Sequence, residues 1–356
     1  MGGSNYTNEQ PRLADIRLQQ SAYGSTIPWL LVGRGRVAGN LLYYGNFKAI
    51  KQSQTQRGGK GGGGSQTTVS YTYQAAVIIG LARGPLVGGG AMWRGKSQFA
   101  TYAAGGLSLA TGALGQAVWS WLSANDPSKA LGYSGLAYAY AQAYSLDDSA
   151  SLPNHNFEID AGGIGSVPGV GTVVDGDPRL AVERLLTDDR SGAGWPSSRL
   201  LGLDRYQAYC RAAGLWLSPV LDTQRTAVEW LQQLLMLTNT RAAYTGSELE
   251  LVPLGDSNLS ANGATFTADV TPDFDLTLDH FYPDPDEPAV RVRRHMGLGA
   301  ERETASSDDV GYNVITLEIE SRAAGYAKQP ISRDDLASIE MFGRRPKDTI
   351  SAPEVK

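Results

Sequence analysis

The chain has 356 residues, a formal net charge of −5 and a single cysteine. At roughly 150 residues per domain, the length indicates two or three domains. The acidic balance argues against a general nucleic-acid-binding surface, and one cysteine excludes both an internal disulfide framework and a cysteine-based zinc site. Glycine, with 43 residues, is well above the ~7% of an average chain, which favours extended structure with many turns.

The strongest pattern runs from Val37 to Gly88 and predicts a long β-hairpin. Val69, Tyr71 and Tyr73 alternate with polar residues, which is the period of two of a half-buried strand. Glycine-rich segments have the most backbone entropy to lose, so we expect the hairpin tip to stay mobile until a partner holds it. We therefore predict that the tip is an assembly contact. Its residues are Gly58, Gly59, Lys60, Gly61, Gly62, Gly63 and Gly64.

Further strands are predicted on both sides of this hairpin, at Ile27–Val32 and Leu136–Leu146. A short helix is expected around Gln116–Ser123. Asp126 followed by Pro127 predicts another helix start, because aspartate caps a helix and proline fits its first position. The glycine-rich segment 161–177 is a candidate domain boundary.

After this boundary the pattern becomes helical. Asp177 before a proline predicts a helix start, and Leu203–Ala213 predicts a second helix. Thr223–Leu237 carries apolar residues at i, i+3, i+4, i+7 and i+8, which form one stripe along a helix. Ala243–Leu254 predicts a β-hairpin, and Cys210 is predicted to lie buried on the second helix.

Strand patterns return from about residue 257, at Val290–Arg294 and Val314–Glu320. Ser332 and Asp335 have the spacing of a capping box, and they precede a helical stripe that ends at Gly343. The stripe consists of Leu336, Ile339 and Phe342.

These patterns predict an α+β, mainly β chain with β-barrel-like domains and a helix-containing inserted domain. The predicted divisions are a Gly/Tyr-rich β domain with the long hairpin at 1–172 and a helix-rich α+β domain at 173–256. The last part, 257–356, is a β segment with a C-terminal helix. It either continues beyond this chain or completes the first β domain.

Signals for catalysis and metal binding are weak. Gly59–Lys60 lacks the Ser or Thr and the following helix of a phosphate-binding loop, and no GxSxG motif occurs. The acidic turns have carboxylates that calcium could use, but without the spacing of a calcium loop. We therefore predict no enzyme activity, catalytic residue, cofactor or metal. The residues weighed are His155, His280, His295, Asp175, Asp177, Asp284, Asp286 and Glu287.

A family resemblance is carried by long blocks in a fixed order. They include SAYGSTIPWLLVGRGRVAGNLLYYGNFKAI, GGKGGGG, VSYTYQAAVIIGLARGPLVGG and ALGYSGLAYAYAQAYSLDDSASLPNHNFEI. The first part resembles the N-terminal part of phage tail tip and baseplate hub proteins, relatives of the lambda-like tip attachment protein. The blocks WPSSRLLGLDRYQAYCRAAGLWLSPVLDTQRTAVEWLQQLLMLTNTRAAYTGSELELVPLGD and YNVITLEIESRAAGYAKQPISRDDLASIEMFGRR resemble later hub segments.

The resemblance implies a structural protein of the virion, made in the bacterial cytoplasm. It implies a homotrimer at the tail tip whose ring matches the distal tail protein or tail tube and anchors the tape measure protein. Receptor-binding or fibre proteins are further implied partners. Phage DNA passes only in transit, through a lumen whose acidic lining would repel phosphate. No stable membrane insertion is expected.

Two other functions remain open from the sequence. A receptor-binding adhesin would need an exposed variable region, for which the candidates are the segment 161–172 and the C-terminal end of the sequence. A virion-associated cell-wall hydrolase would need a carboxylate pair, and none of the 36 acidic residues is singled out as one.

Overall fold

A computed structural model describes residues 6–15, 17–18, 26–57, 65–269 and 312–356. The prediction of a mainly β chain is confirmed, with several separate sheets and a smaller helical content. Within these described ranges the sheets are open and none closes into a barrel, so the β-rich parts are layered sheets. The predicted strand Val290–Arg294 lies outside the described residues.

The first half of the chain is built from fourteen described strands, several of them very short. They are β1 (Tyr6–Glu9), β2 (Arg17–Leu18), β3 (Trp29–Leu30), β4 (Gly33–Ala38), β5 (Asn40–Arg57), β6 (Ser65–Arg83), β7 (Gly88–Arg94), β8 (Ser97–Phe99), β9 (Ser108–Ala110), β10 (Leu136–Ser145), β11 (Ser151–Leu152), β12 (His155–Gly162), β13 (Gly165–Val167) and β14 (Gly171–Val173). A short helix, α1 (Ser120–Asn125), precedes β10.

Strand β6 is the centre of the largest sheet. It pairs with β5 on one side and with β10 and β1 on the other. Its second half, Ala75–Ala82, is almost wholly buried, as expected of an apolar run covered on both faces. A second sheet in the order β4-β12-β7-β8 packs against it through Phe157, Ile159 and Met92.

The middle of the chain is helical, as predicted. Its helices are α2 (Pro178–Thr187), α3 (Leu203–Ala213) and α4 (Ala227–Leu237), and its strands are β15 (Leu200–Leu201), β16 (Val220–Leu221), β17 (Thr240–Tyr244), β18 (Leu249–Pro253), β19 (Leu259–Ala261) and β20 (Ala264–Phe266). The three helices share a buried core with Tyr206, Trp230 and Leu251. Cys210 is buried there, which confirms its predicted position.

The last part contains β21 (Val314–Ser321), β22 (Ala327–Asp334), α5 (Leu336–Phe342) and β23 (Ile350–Ala352). The three strands form a sheet in the order β22-β21-β23. Every residue of β22 is exposed. The end of the chain returns to the helical core, where Ser218 N donates to the Glu354 carbonyl oxygen and Gln233 Nε2 donates to the Glu354 carboxylate.

Some of the predicted helix starts are correct and others are wrong. Asp177 caps α2 as predicted, with its Oδ1 accepting from Arg179 N at 3.0 Å. Helix α4 begins four residues later than predicted, because Thr226 and Glu229 form a complete capping box. The predicted box at Ser332 is wrong. Ser332 lies inside β22 and shares a hydroxyl hydrogen bond with Thr316 across the sheet.

The loop before β10 also differs from the prediction. Helix α1 starts at Ser120, because Gln116 lies in the preceding loop, where it accepts from Gly112 N and donates to the carbonyl oxygen of Gly132. Asp126 and Pro127 begin only a three-residue 3-10 turn, in which the Asp126 side chain makes no capping bond.

Candidate assembly surface

The most prominent candidate surface is the arm formed by the distal halves of β5 and β6. The two strands pair continuously to the Arg57–Ser65 pair. On β5, residues 51–56 are all exposed, and their partners at 66–71 of β6 are exposed or partly buried except for Val69, which is buried. The seven residues from Lys51 to Arg57 span about 20 Å of extended strand. The arm therefore extends well beyond the core of its own sheet.

The arm surface is polar but carries little charge. Its distal residues are hydroxyls and amides, and Thr55 and Thr67 share a hydrogen bond across the strands at 3.1 Å. Within the described part of the chain β5 pairs only with β6, so its outer edge keeps unpaired backbone groups. An edge with free backbone donors and acceptors, whose charged residues are Lys51 and Arg57 at the two ends of the segment, suits addition of a strand from another chain.

The arm is anchored by aromatic packing at its base and by β1, which pairs with Gln66–Val69 of β6 along the arm itself. Phe47 stacks on Tyr73 with ring centroids 5.5 Å apart, and the Tyr73 hydroxyl accepts from Leu13 N. The Tyr71 hydroxyl donates to the carboxylate of Glu9 on β1. Register shifts between Leu41 and Tyr43 and between Gly45 and Lys48 bend the base and increase its twist. These contacts fix the direction in which the arm leaves the core.

The predicted contact residues of the tip lie outside the described residues. The structure brings together the two strands that lead to them, with Arg57 paired to Ser65. The assignment of the tip as a contact stays a prediction. Its residues are Gly58, Gly59, Lys60, Gly61, Gly62, Gly63 and Gly64.

A cluster of buried and partly buried polar contacts, here called the polar seam, was not predicted from the sequence. It joins the sheet of β21 and β22 to the first half of the chain. The Arg322 guanidinium pairs with Asp175 at 2.7 Å, and the Tyr326 hydroxyl donates to Glu158 Oε1 at 2.7 Å. Arg322 also donates to the carbonyl oxygen of Arg34, whose own guanidinium pairs with Asp160.

The electrostatics of the seam favour its charged pairs. Burial opposes the charge on Arg322, but the hydrogen bond and charge of Asp175 outweigh it and raise the pKa of Arg322. Burial, together with the hydrogen bond to Glu158, raises the pKa of Tyr326, so its hydroxyl stays a donor at neutral pH. The side-chain pairs of the seam join residues that are 126 or more positions apart, and no short sequence motif predicts such a pairing.

The residues considered as metal ligands or as a reactive thiol have structural roles wherever the structure describes them. Asp175 binds Arg322 and Ser218, and Asp177 caps α2 and binds Arg211. Across the described ranges no group of three or more His, Cys, Asp or Glu residues is positioned to hold a metal. Burial raises the pKa of the Cys210 thiol, which disfavours the reactive thiolate. The other weighed residues, His280, His295, Asp284, Asp286 and Glu287, lie outside the described residues.

His155 is buried at the start of β12, next to Tyr144. Its Nε2 lies 2.7 Å from the Tyr144 hydroxyl, and its ring stacks on Phe157. Burial, with a smaller contribution from the positive charge of Arg94, lowers the pKa of His155 to about 4. The imidazole is therefore neutral in the folded chain at neutral pH.

We expect acid to destabilise the fold through His155. Below the ordinary pKa of ~6.5 the imidazole of His155 binds a proton in the unfolded chain but not in the folded chain. The free energy of unfolding therefore falls as the pH is lowered from about 6.5 to about 4. Relative to pH 7, the free energy of unfolding should be lower by about 2–3 kcal/mol at pH 4.5. Guanidinium unfolding at pH 7 and pH 4.5 measures it. In His155→Gln this component should vanish, and an equal acid loss in both chains would contradict the assignment.

Among the described residues, no helix has both the length and the apolar character needed to cross a membrane. The sequence matches no protein-family model, and the search of curated proteins finds no match either. Several chains of solved structures are similar to this chain, and one of them matches over nearly its whole length. It is a chain from the virion of a native gene transfer agent particle, at 15% sequence identity and a TM-score of 0.55. The similarity covers 98% of this chain and 73% of that one, and at this identity it shows a shared fold.

Proposed function

We propose that this protein is a structural component of a phage-like virion and, more specifically, a tail tip hub protein. One observation carries the proposal: nearly the whole chain shares its fold with a chain of a gene transfer agent virion. The ordered sequence blocks that resemble phage hub proteins support the same assignment. The long polar arm supports it further, because an arm with a free edge offers backbone groups to a neighbouring chain.

In this proposal three copies form a ring that closes the tail tube before infection and later lets DNA pass. The ring contacts the distal tail protein or tube above it and holds the end of the tape measure protein. The divisions 1–172, 173–256 and 257–356 are proposed as its parts. The polar seam supports the arrangement in which the last part completes the first, because Arg322 and Tyr326 bind residues of the first half and its junction with α2.

The oligomeric state of the purified chain tests the proposal. Native mass spectrometry over a range of concentrations should show a trimer, and cryo-electron microscopy of tails should show this chain in a ring at the tip. A chain that stays monomeric at every concentration and is missing from the tail tip would contradict the proposal.

The hairpin tip is expected to contribute to assembly rather than to folding. Replacing Gly58–Gly64 with a two-residue Asn-Gly turn should leave the melting temperature unchanged within a few degrees, because the strands already pair to Arg57 and Ser65. Tail assembly or infectivity should fall at least about tenfold, as expected when a principal contact of an interface is lost. Thermal unfolding and plaque counts measure the two effects. A deletion of similar size in the exposed 168–171 turn is the control, and normal infectivity of the tip variant would show that the tip makes no assembly contact.

A further inference from the structure

The arm has two free edges, one on β5 and one on β1. Strand β1 pairs parallel with residues 66–69 of β6, so the arm is three strands wide at this height, in the order β5-β6-β1. Within the described part of the chain, β1 and β5 each pair only with β6. The same residues of β6 pair with residues 53–56 of β5. Both free edges therefore lie at the same height along the arm.

The edge of β5 lacks the features by which proteins usually prevent the addition of a strand, which are charged residues, proline and β-bulges. The register shifts of β5 lie nearer its base, and its pairing is regular from Lys48 to Arg57. Proline is absent from β5, and Lys51 is the only charged residue from 49 to 56. This length of edge is therefore available to a partner strand.

The side chains along the two edges can pair through their amides. Residues two apart on a strand share a face, so Gln52, Gln54 and Gln56 lie on one face of the arm, and all three are exposed. Asn8 on β1 is exposed as well, and it is in register with Thr68, which pairs with Gln54. Asn8 therefore lies on the same face. Rows of Asn and Gln stabilise neighbouring strands through side-chain hydrogen bonds.

The charges of the arm favour β1 of another copy as the partner of this edge. The charged residue of β1 is Glu9, whereas the distal part of β5 has Lys51 and Arg57, so opposite charges meet when β1 lies beside β5. Pairing of β5 with β5 of a second copy would bring like charges together. It would also be a two-fold contact, which joins two copies and not three.

Strand β22 is another exposed edge strand, and it is a poorer partner for β5. It lies at the end of its sheet, and every one of its residues is exposed. Pro330 in its middle has no N–H to donate to a neighbouring strand. With Lys328 and Arg333 against Asp334, β22 has a net positive charge, as the distal part of β5 does.

We propose that β1 of one copy pairs with the outer edge of β5 of the next copy. The inference rests on the proposed ring and names its strand pairing. Within one arm β1 runs antiparallel to β5, so the new pair is antiparallel when all arms point the same way. The two edges differ, so the contact is head-to-tail and can close into a ring.

Closure of the ring would join three arms of three strands each into one nine-stranded barrel without a free edge. A barrel of about this size is filled by its own side chains. It therefore suits the state in which the proposed ring closes the tail tube.

Disulfide trapping with the full chain tests this pairing. One tagged population carries Asn8→Cys, and a second, differently tagged population carries Gln52→Cys, Gln54→Cys or Gln56→Cys, which samples three registers. Mild oxidation of the mixture should give a covalent dimer with both tags for at least one of the three. The native chain is the control and should give no covalent dimer, because its single thiol, Cys210, is buried.

A chain that carries both cysteines shows whether the contact closes. Within one copy, β6 separates positions 8 and 54, which lie about 9–10 Å apart, and a disulfide spans at most about 7 Å. A disulfide between these positions must therefore join two copies, and the products should end at covalent trimers. Gln54→Cys with Thr68→Cys is the positive control, because these neighbours should join within one chain. Products that continue beyond trimers would overturn the closed ring.

The outcomes separate this inference from the proposed function. A trimer in native mass spectrometry without the mixed disulfide in any register overturns the pairing of β1 with β5 and leaves the hub proposal standing. Covalent dimers that form equally well with Gln54→Cys alone also overturn it, because β5 would then pair with itself. A chain that is monomeric at all concentrations, with no mixed disulfide, overturns both.

Hydrogen exchange gives an independent test that needs no substitution. On association, the outward-facing amides of β1 and of residues 51–57 should exchange at least about tenfold more slowly, because a hydrogen-bonded amide must open before it exchanges. Strand β22 is the matched control, since it is an exposed edge strand whose exchange should not change. Association without protection of β1 and β5, or with protection of β22 instead, would overturn the proposal.

Discussion

Replacing Gly33 with alanine should lower the free energy of unfolding by about 3 kcal/mol. Gly33 has a φ of +73°, where a side chain costs about 1–2 kcal/mol. The added Cβ would lie 2.2 Å from Ser218 Oγ and 2.8 Å from Gly176 N. The backbone cannot move away easily, because Gly176 and Leu217 exchange two hydrogen bonds at this point. Overpacking of this kind adds about 1–3 kcal/mol. Guanidinium unfolding with a linear extrapolation measures the loss.

Gly95→Ala is the matched control for this prediction. Gly95 also has a positive φ, +57°, but nothing lies within 4 Å of its added Cβ. Only the backbone cost remains, so the loss should be about 1 kcal/mol. If both variants lose the same stability, the close approach of Gly176 and Ser218 to β4 does not constrain the fold.

The sequence predicted elements well wherever the determining interactions are local. Leu203–Ala213 is a helix with the predicted bounds, and Asp177 caps the helix before it. The long hairpin of β5 and β6 was predicted from the alternation in β6, which is a property of the local sequence. Local rules failed at Ser332, where pairing with β21 overrode a capping pattern, and at Gln116, whose side chain holds a loop.

The candidate surfaces were less predictable, for a physical reason. The arm could be read from the strand pattern, because alternation and glycine content are properties of the local sequence. The polar seam could not, since Arg322 and Asp175 are 147 positions apart and neither lies in a motif. The exposure of side chains on α5 depends on which neighbours are missing around them. The stripe on α5 predicted the helix, but not that Leu336 on it would be 75% exposed.

Replacing Asp175 with alanine should cost about 2–3 kcal/mol and loosen the last part of the chain first. Arg322 would lose both of its bonds to the carboxylate, and the Ser218 hydroxyl would lose its acceptor. Removing one partner of a fully buried pair costs about 3–5 kcal/mol, and the smaller figure applies because both side chains keep some contact with solvent. Hydrogen exchange should rise in β21 and β22, whose link to the first half passes through Arg322 and Tyr326.

The double variant Asp175→Ala with Arg322→Ala distinguishes a specific pair from a general loss of packing. Much of the single-variant cost comes from an uncompensated buried charge, so removing both partners should recover at least about 1 kcal/mol. Glu318→Ala is the surface control, because its partner Lys328 is 67% exposed and such pairs contribute about 0–1 kcal/mol. If Asp175→Ala costs no more than this control, the seam does not hold the last part in place. The C-terminal sheet would then be attached mainly through Glu354 and the chain end, and the proposal that it completes the first domain would lose its support.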